Sequence, residues 1–367
     1  MNILLFKDTF LNKKVLVTGN KGFKSSWLTA WLLELGAEVY GISVDIPTNP
    51  SHFETAKLYK KIVHYETDIC NLENLKIIIH EISPDFVFHL AAQSLVRLSY
   101  IDPVATYQTN VLGTLNLLEA LRLLEKSCTA VLITSDKCYD NVEWVWGYRE
   151  TDSLGGSDPY SASKGAAELV IRSHVKSFFP KNGSVRIAVG RAGNVIGGGD
   201  WAQERIVPDC VRAWEKGESV QLRNPQATRP WQHVLEPLSG YLTLAAELNQ
   251  KAELHGEPFN FGPPAHQNHS VLKLVQTMSE DWDKVLWEEF SDTVEQPYES
   301  GLLKLNCDKA LHHLHWEAVL PFRETVRMTA EWYRSYYKDP STIQDVTFLQ
   351  IKEYEAFAQN KGMKWIK

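Results

Sequence analysis

The sequence lacks the features of a secreted, membrane-embedded or metal-stapled protein. Its five cysteines are scattered, odd in number and never form a C-x-x-C pair, which favours a reducing cytosol over a disulfide scaffold. No apolar run reaches the roughly 18 residues that a transmembrane helix needs, and Asp8 interrupts a start that has no signal-peptide cleavage pattern. We therefore predict a cytoplasmic protein that does not enter a membrane.

An excess of positive charge is also missing. The 38 Lys and Arg residues are outnumbered by 45 Asp and Glu residues, for a net charge of −7, whereas nucleic-acid binding demands a basic surface. The histidines have no companion carboxylates or cysteines at a recognised ligand spacing, so we predict no metal site. A small anionic ligand, which needs only a few local donors, remains compatible with this composition.

Short β-branched runs alternate with helical patterns through the first two thirds of the chain. This alternation predicts an α/β fold, a Rossmann-type doubly wound parallel sheet. We assign residues 1–192 to the Rossmann-type domain that this sheet forms. Residues 193–367, where Gly, Pro and Arg crowd together, are assigned mainly to a smaller mixed α/β substrate-binding lobe, and some of its segments are allowed to return to the first domain. The predicted strands are 14–18, 38–44, 62–65, 86–90, 130–134 and 185–189, and the clearest helix is 72–82.

A glycine turn follows the first predicted strand. Gly19 and Gly22, with Asn20 between them and Phe23 after them, precede an amphipathic helix. Glycines let the backbone approach a pyrophosphate that binds at the positive end of the helix. The turn therefore predicts a dinucleotide site, although an ordinary strand-to-helix turn has the same outline.

Two carboxylates follow the next strands. Asp45, just past the second strand, can accept hydrogen bonds from both adenine-ribose hydroxyls and would repel a 2′-phosphate, which favours NAD over NADP; alternatively it only opens the proline-rich loop. Asp68, after the third strand, can accept from the adenine amino group or can be a solvated helix-capping residue.

Two clusters carry potential acid–base chemistry. Tyr160 and Lys164 are four residues apart at the head of a helix and share one face, so the ammonium can lower the pKa of the phenol. Ser135, Asp136 and Lys137 directly follow a buried strand, where they can transfer protons to one substrate. The alternative for the second cluster is a solvated Asp–Lys pair in a turn.

A third group is rich in arginine. Arg191, Arg205 and Arg229, with Asn194, lie around a run of three glycines in the less regular lobe. Because arginine matches phosphate oxygens bidentately, we predict a second pyrophosphate site there, belonging to a substrate.

Together these residues resemble the extended short-chain dehydrogenase/reductase family, and within it the sugar-nucleotide 4,6-dehydratases that act on CDP-glucose. The resemblance covers nearly the whole chain and is most specific in the last two of the following stretches: Leu90–Tyr100, Ser135–Asn141, Leu154–Lys164, Arg191–Trp201 and Arg229–Leu242.

The resemblance implies a deoxysugar-forming enzyme with a tightly held NAD. Tyr160, Lys164, Ser135, Asp136 and Lys137 would be catalytic. The cofactor site would also include Ile69, Ala91 and Ala92, and the substrate site would comprise Gln93, Asn194, Arg205, Arg229 and Tyr298. It also implies a homo-oligomer that pairs through helices near 102–124 and 160–179.

Three departures from the family pattern leave alternatives open. Ser25 replaces the usual third glycine, which predicts looser packing of the first helix, and Asn20-Lys21 replaces a more common His-Thr. Lys137 stands where related enzymes have the glutamate base that acts at C5, so the base here is Lys137 or a water that it relays. A 4-epimerase of the same family and a catalytically silent NAD-binding regulatory protein are the rival functions.

Overall fold

A parallel β-sheet forms the centre of the computed structural model, which describes residues 4–282, 285–289 and 302–366. The strands are β1 Lys14–Thr18, β2 Glu38–Ser43, β3 Val63–Glu66, β4 Phe86–His89, β5 Cys128–Ile133, β6 Val185–Ala192, β7 Val195–Ile196, β8 Val220–Leu222, β9 Thr228–Arg229, β10 Gln232–His233, β11 Pro258–Phe261, β12 His269–Ser270 and β13 Trp287–Glu289. The main sheet has the order β3-β2-β1-β4-β5-β6-β11 and all its pairs are parallel. The predicted doubly wound fold is confirmed, with the strand order reversing between β1 and β4.

Helices cover both faces of this sheet. They are α1 Phe23–Glu34, α2 His52–Thr55, α3 Leu72–Ile82, α4 Val96–Ile101, α5 Pro103–Tyr107, α6 Gly113–Leu121, α7 Pro159–Phe178, α8 Ile206–Glu215, α9 Leu235–Gln250, α10 Val271–Ser279, α11 Asp308–Leu314, α12 Phe322–Lys338 and α13 Ile343–Lys361. None of the helices in the described ranges combines the length and apolar character that crossing a bilayer requires.

The two sheet faces have separate cores because successive side chains of a strand point to opposite sides. Val15 and Val17 of β1 lie in the same cluster as Trp27 and Trp31 of α1. Leu16, between those valines, belongs to a second cluster that includes residues of α3, α6 and α7. This double burial explains why the strands read as continuous apolar runs.

Local sequence signals fix the helices that border the site. Gly36 has a φ of +76° and ends α1, as a glycine at this position does readily. At the start of α7, the Asp158 side chain accepts a hydrogen bond from the Ser161 amide at 2.9 Å, and Pro159 occupies the first helical turn. These signals fix where α7 starts and therefore place Tyr160 and Lys164 in its first turns.

Short strand pairs characterise the chain after β6. β7 pairs with β10, β8 with β13 and β9 with β12. The chain then returns to the main sheet, where β11 lies parallel to β6. The division at residue 193 stays a prediction. Residues 327–359 fall in α12, α13 and the short connection between them, with Trp332 and Tyr354 fully buried.

Candidate active site

The turn between β1 and α1 leaves its backbone open to a ligand. Gly19 has a φ of +69°, and a Cβ there would lie 2.7 Å from the Cα of Ala91, so only glycine fits. Gly22 is the N-cap residue of α1 and Phe23 begins the helix. The first amides of a helix have no helical acceptor and carry the positive end of its dipole. This turn can therefore hold a pyrophosphate.

Ser25 fits inside the turn in place of the third glycine. Its side chain is buried, and its hydroxyl donates to the carbonyl oxygen of Gly19 and, at 3.1 Å, to that of Gly22. The serine therefore links the two glycines of the turn. Its hydrogen bonds hold the start of α1 against the turn, where the missing glycine had predicted looser packing.

Asn20 faces the end of β2, where an adenine ribose is expected. The Ser43 hydroxyl donates to Asn20 Oδ1 at 2.9 Å, whereas Asn20 Nδ2 is buried without a hydrogen-bond partner among the described residues. A Cβ at Gly41 would lie 2.4 Å from the Asn20 side chain, so Gly41 makes room for it. Asp45, past the end of β2, is exposed.

The segment after β3 contributes an exposed carboxylate and a buried aliphatic side chain. Asp68 Oδ1 accepts a hydrogen bond from the Cys70 amide at 2.8 Å. The capping of α3, considered above for Asp68, is performed by Asn71. Ile69 is buried and lies so close to Gly113 that a Cβ there would be 2.5 Å away.

The loop after β4 is tied down at several points. The Ala91 amide donates to Thr18 Oγ1 at 3.2 Å, and Ala92 follows it. The Gln93 side chain donates to Thr106 Oγ1 at 2.9 Å and accepts from the Leu95 amide at 2.5 Å. Its amide group therefore shapes the loop that was predicted to contact substrate.

Asn110 is a site residue that the sequence interpretation missed. Its Oδ1 accepts from the Gln93 amide at 2.9 Å and its Nδ2 donates to Ser163 Oγ at 2.8 Å. It lies in a π-helical turn, Gln108–Leu112, a local geometry that is frequent at functional sites. Asn110 thus fixes the loop after β4 to the helix that carries Tyr160.

Ser135, Asp136 and Lys137 follow β5 in one tight turn. Ser135 Oγ donates to Asp136 Oδ1 at 2.9 Å, and the Lys137 amide donates to Ser135 Oγ at 3.3 Å. Burial raises the pKa of Asp136 above its ordinary value, and the opposing effects of Lys137, Ser135 and Lys24 are smaller. A carboxyl group in this setting is suited to hold a proton and act as an acid.

Tyr160 and Lys164 lie in the first turns of α7. The Tyr160 amide donates to Ser99 Oγ at 3.1 Å. Burial raises the pKa of Tyr160 to about 12, and a hydrogen bond with Ser135 acts in the opposite direction. Burial lowers the pKa of Lys164 to about 8. In these side chains by themselves, burial outweighs the favourable contacts of the phenol, and the lowering of the Tyr160 pKa by Lys164 stays a prediction.

The Asp136 carboxyl group, the Tyr160 phenol and the Arg205 guanidinium lie close enough for their charges to interact. The charges of Asp136 and Arg205 both act on the Tyr160 phenol, and those of Asp136 and Tyr160 act on the buried phenol of Tyr241. An acid from the turn after β5, a phenol from the start of α7 and a guanidinium from the start of α8 are therefore neighbours near the carboxyl edge of the sheet, where doubly wound folds bind their ligands.

The predicted arginine group divides in two. Arg191 is 2% exposed on its side chain and pairs bidentately with Glu168, at 2.8 Å and 2.9 Å. It therefore joins β6 to α7, and its expected role as a phosphate ligand is wrong. Arg205 instead reaches the cleft while its Nη1 donates to Asp200 Oδ2 at 2.7 Å.

The other predicted substrate residues are spread along the second lobe. Arg229 lies in β9 and its Nη1 donates to the Thr228 carbonyl oxygen at 2.9 Å. Asn194 precedes β7, and its carbonyl oxygen accepts from the Gln232 amide at 3.3 Å. Tyr298 lies outside the described residues. The roles of these three residues stay predictions.

Comparisons with known proteins agree with this geometry. The family model described as GDP-mannose 4,6 dehydratase matches residues 16–329. The chain is 46% identical over 340 residues to a CDP-glucose 4,6-dehydratase of Salmonella typhimurium, covering 91% of this chain and 94% of that protein. It is 26% identical to a dTDP-glucose 4,6-dehydratase of Shigella flexneri over 87% of this chain and 92% of that one. A solved dTDP-glucose 4,6-dehydratase of Streptomyces venezuelae with NAD bound has a TM-score of 0.74 at 22% identity, over 89% and 98% of the two chains.

Proposed function

This chain belongs to the GDP-mannose 4,6-dehydratase family, and we propose that it is a hydro-lyase that converts CDP-D-glucose to CDP-4-keto-6-deoxy-D-glucose. The observation that carries this proposal is the pairing of a buried acid, Asp136, with the phenol of Tyr160 in one cleft. A 4-epimerase needs the phenol, but its reaction expels no hydroxyl group, so it has no use for such an acid. The identity to a CDP-glucose 4,6-dehydratase supports the choice of nucleotide.

NAD is the proposed cofactor, and the residues present fit it. Gly19 and Gly22 bring the backbone close to a pyrophosphate, the orphaned amide of Asn20 faces the expected ribose, and Asp45 is exposed past β2. When bound, NAD⁺ would supply the hydride-transfer chemistry, from C4 of the hexose and later to C6. Because no net reductant is consumed, we expect the cofactor to stay bound between turnovers.

Tyr160 is the proposed base for the C4 hydroxyl. Its own burial raises its pKa to about 12, so it needs positive charge nearby to ionise. Lys164, one helical turn away, and the positive nicotinamide ring are the groups that would supply it. Ser135 would hydrogen-bond the oxygen as it becomes a ketone.

Asp136 is the proposed acid for the C6 hydroxyl. Once C4 is a ketone, the C5 hydrogen is acidic; a base removes it while Asp136 donates its proton to O6, which leaves as water. The base is Lys137, which must be neutral at that moment, or a water relayed by it. Lys137 follows Asp136 directly in the chain, which supports either choice.

Gln93, Asn194, Arg205, Arg229 and Tyr298 are the proposed ligands of the nucleotide sugar. We also propose a cytoplasmic location, which five cysteines without a disulfide support, and a role in making the deoxysugars of lipopolysaccharide. A homo-oligomer is proposed from the exposed apolar side chains of α4 and α5, including Ile101 and Val104.

The test is incubation of the purified protein with CDP-, dTDP-, GDP- and UDP-glucose, followed by mass spectrometry of the products. We expect loss of one water from CDP-glucose, faster than from the other three. An unchanged mass with altered stereochemistry would instead establish the epimerase, and no reaction with any of the four would favour the silent NAD-binding protein.

A further inference from the structure

The position of Lys24 at the start of α1 is not explained by the stability of that helix. It lies in the first turn of α1, two residues after the N-cap, where the helix dipole disfavours a cation. Among the described residues, no ion pair or hydrogen bond involves its ammonium. A surface lysine that stabilised the fold would pair with a carboxylate or extend into solvent, but Lys24 is half-buried.

The Lys24 side chain extends into the cleft that holds the catalytic candidates. Its Nζ lies 5.9 Å from the ring centroid of Tyr241. The charges that act on it are those of Arg205, Asp136 and Lys164, which come from other elements. The charges of Asp136 and Tyr160 in turn raise the pKa of Tyr241. Lys24 therefore belongs to one cluster with these residues, at the carboxyl ends of β1, β5 and β6.

Two atoms of this cluster are buried without a hydrogen-bond partner in the described part of the chain. They are Asp136 Oδ2 and the Tyr241 hydroxyl. A Cβ at Gly193 would lie 2.7 Å from Asp136 Oδ2, so glycine is what lets the carboxyl group pack there. Leaving such an oxygen unpaired is unfavourable, and an orphaned buried group of this kind calls for a functional explanation.

We propose that Lys24 is a positioning residue of the elimination step: its ammonium stabilises the carboxylate that Asp136 becomes after donating its proton. This inference rests on the proposed dehydratase function. In the step, the C5 proton goes to the base and its electron pair forms the C5–C6 double bond. The C6–O6 bond breaks towards oxygen, O6 takes the Asp136 proton and water leaves. Asp136 regains a proton from water before the next turnover.

Lys137 and Lys24 are charged at different stages of the step. If Lys137 is the C5 base, it is neutral until it takes the C5 proton, so Lys24 is the lysine that is already charged when the Asp136 proton begins to move to O6. The groups that interact with Asp136 are Ser135, Lys137, Cys138, Tyr160 and Tyr241 together with Lys24. Of these, Lys24 is the amine that has no proposed proton to accept, and burial and its cationic neighbours lower its pKa only to about 8, so it is mostly charged at neutral pH.

The matched variants Lys24→Met and Lys24→Arg test the proposal with CDP-glucose. Lys24→Met should keep its NAD and still form bound NADH, which is seen by absorbance. It should release dehydrated product about 10- to 100-fold more slowly, because the transition state of the elimination loses a stabilising charge. Lys24→Arg, which keeps the charge, should recover most of the rate. Should Lys24→Met not fold, Lys24→Gln replaces it. Loss of NAD from the uncharged variant, or an unchanged elimination rate, would overturn the proposal.

A second measurement needs no substrate. The infrared carbonyl band of protonated Asp136, assigned by its absence in Asp136→Asn, should disappear at higher pH in Lys24→Met than in the wild type, because removal of a cation makes ionisation harder. Coincident midpoints would contradict the coupling. If the wild type dehydrates none of the four nucleotide sugars, the proposed function fails, and this titration still decides whether Lys24 acts on Asp136.

Discussion

At the scale of single residues, burial decides the chemistry of the site more than neighbouring charge does. Desolvation is the largest effect on the pKa of Asp136, Tyr160 and Lys164. It favours the neutral form in each case, so the acid is poised to donate, and the phenol needs added positive charge before it can accept a proton.

Replacement of Tyr160 by phenylalanine should abolish the first oxidation while leaving the fold intact. Proton transfer by a positioned side chain typically contributes about 10²- to 10⁴-fold, so kcat should fall by that order and no bound NADH should accumulate with CDP-glucose. Tyr59→Phe, at a tyrosine that is 51% exposed, is the matched control. Turnover near the wild-type rate in Tyr160→Phe would remove this phenol from the mechanism.

Other residues show what a sequence can and cannot reveal about a site. Gly19, Asp136 and Tyr160 could be found because glycine turns and strand ends have local signals. The pairing of Arg191 with Glu168 could not, since the two side chains are 23 positions apart in sequence and only the docking of α7 on β6 brings them together. Lys24 was hidden for the same reason: its neighbours in the cleft come from other elements.

At the scale of elements, apolar periodicity was the most informative signal. The helix predicted for 72–82 has those bounds, and the predicted strands agree to within three residues at their ends. The two-residue strands of the second lobe had no such signal, because two residues are too few for any periodicity. Their pairing depends on tertiary contacts alone.

A buried carboxyl group on α9 should make the stability of the C-terminal packing depend on pH. Glu236 accepts hydrogen bonds from the amides of Val319 and Leu320 and from the Tyr354 hydroxyl. Burial nevertheless raises its pKa from 4.5 to about 7. The folded chain thus holds this proton more tightly than the unfolded chain does, so the contribution is present below the unfolded pKa and is lost as pH rises through the folded one.

Urea unfolding of the wild type and Glu236→Gln at about pH 5 and about pH 8 measures this contribution. Each pKa unit is worth about 1.4 kcal/mol, so the wild type should lose on the order of 3 kcal/mol more than the glutamine variant between the two values. Equal losses in both proteins would show that Glu236 does not titrate in this range.

At the scale of the whole molecule, one surface stands out from the rest. Ile101 and Val104 are 80% and 64% exposed on α4 and α5, and α7 beside them carries exposed Leu169 and Phe178. Neighbouring exposed apolar side chains of this kind are typical of an association surface. In the sequence analysis, the resemblance to the family predicted pairing of subunits through the helices near 102–124 and 160–179, which overlap this surface.

Ile101→Glu should therefore weaken association between copies of the chain. A charge placed in an apolar interface loses its hydration without gaining a partner, so light scattering should report a lower mass than for the wild type at the same concentration. Ile77→Glu, on α3 at 64% exposure, is the control and should leave the mass unchanged. A wild-type protein that is already monomeric would refute the proposed oligomer.

The return of the chain to the sheet at β11 has a consequence for how such enzymes diversify. The polypeptide departs after Ala192 and rejoins beside the same strand at Pro258, so the excursion between them is anchored at both ends to one rigid frame. Insertions or exchanges in the surface loops of that excursion can change what it binds, provided that Arg205 and Tyr241, whose side chains act on or near the Tyr160 phenol, keep their places. Recognition of a different ligand can therefore evolve in these loops while the main sheet stays the same.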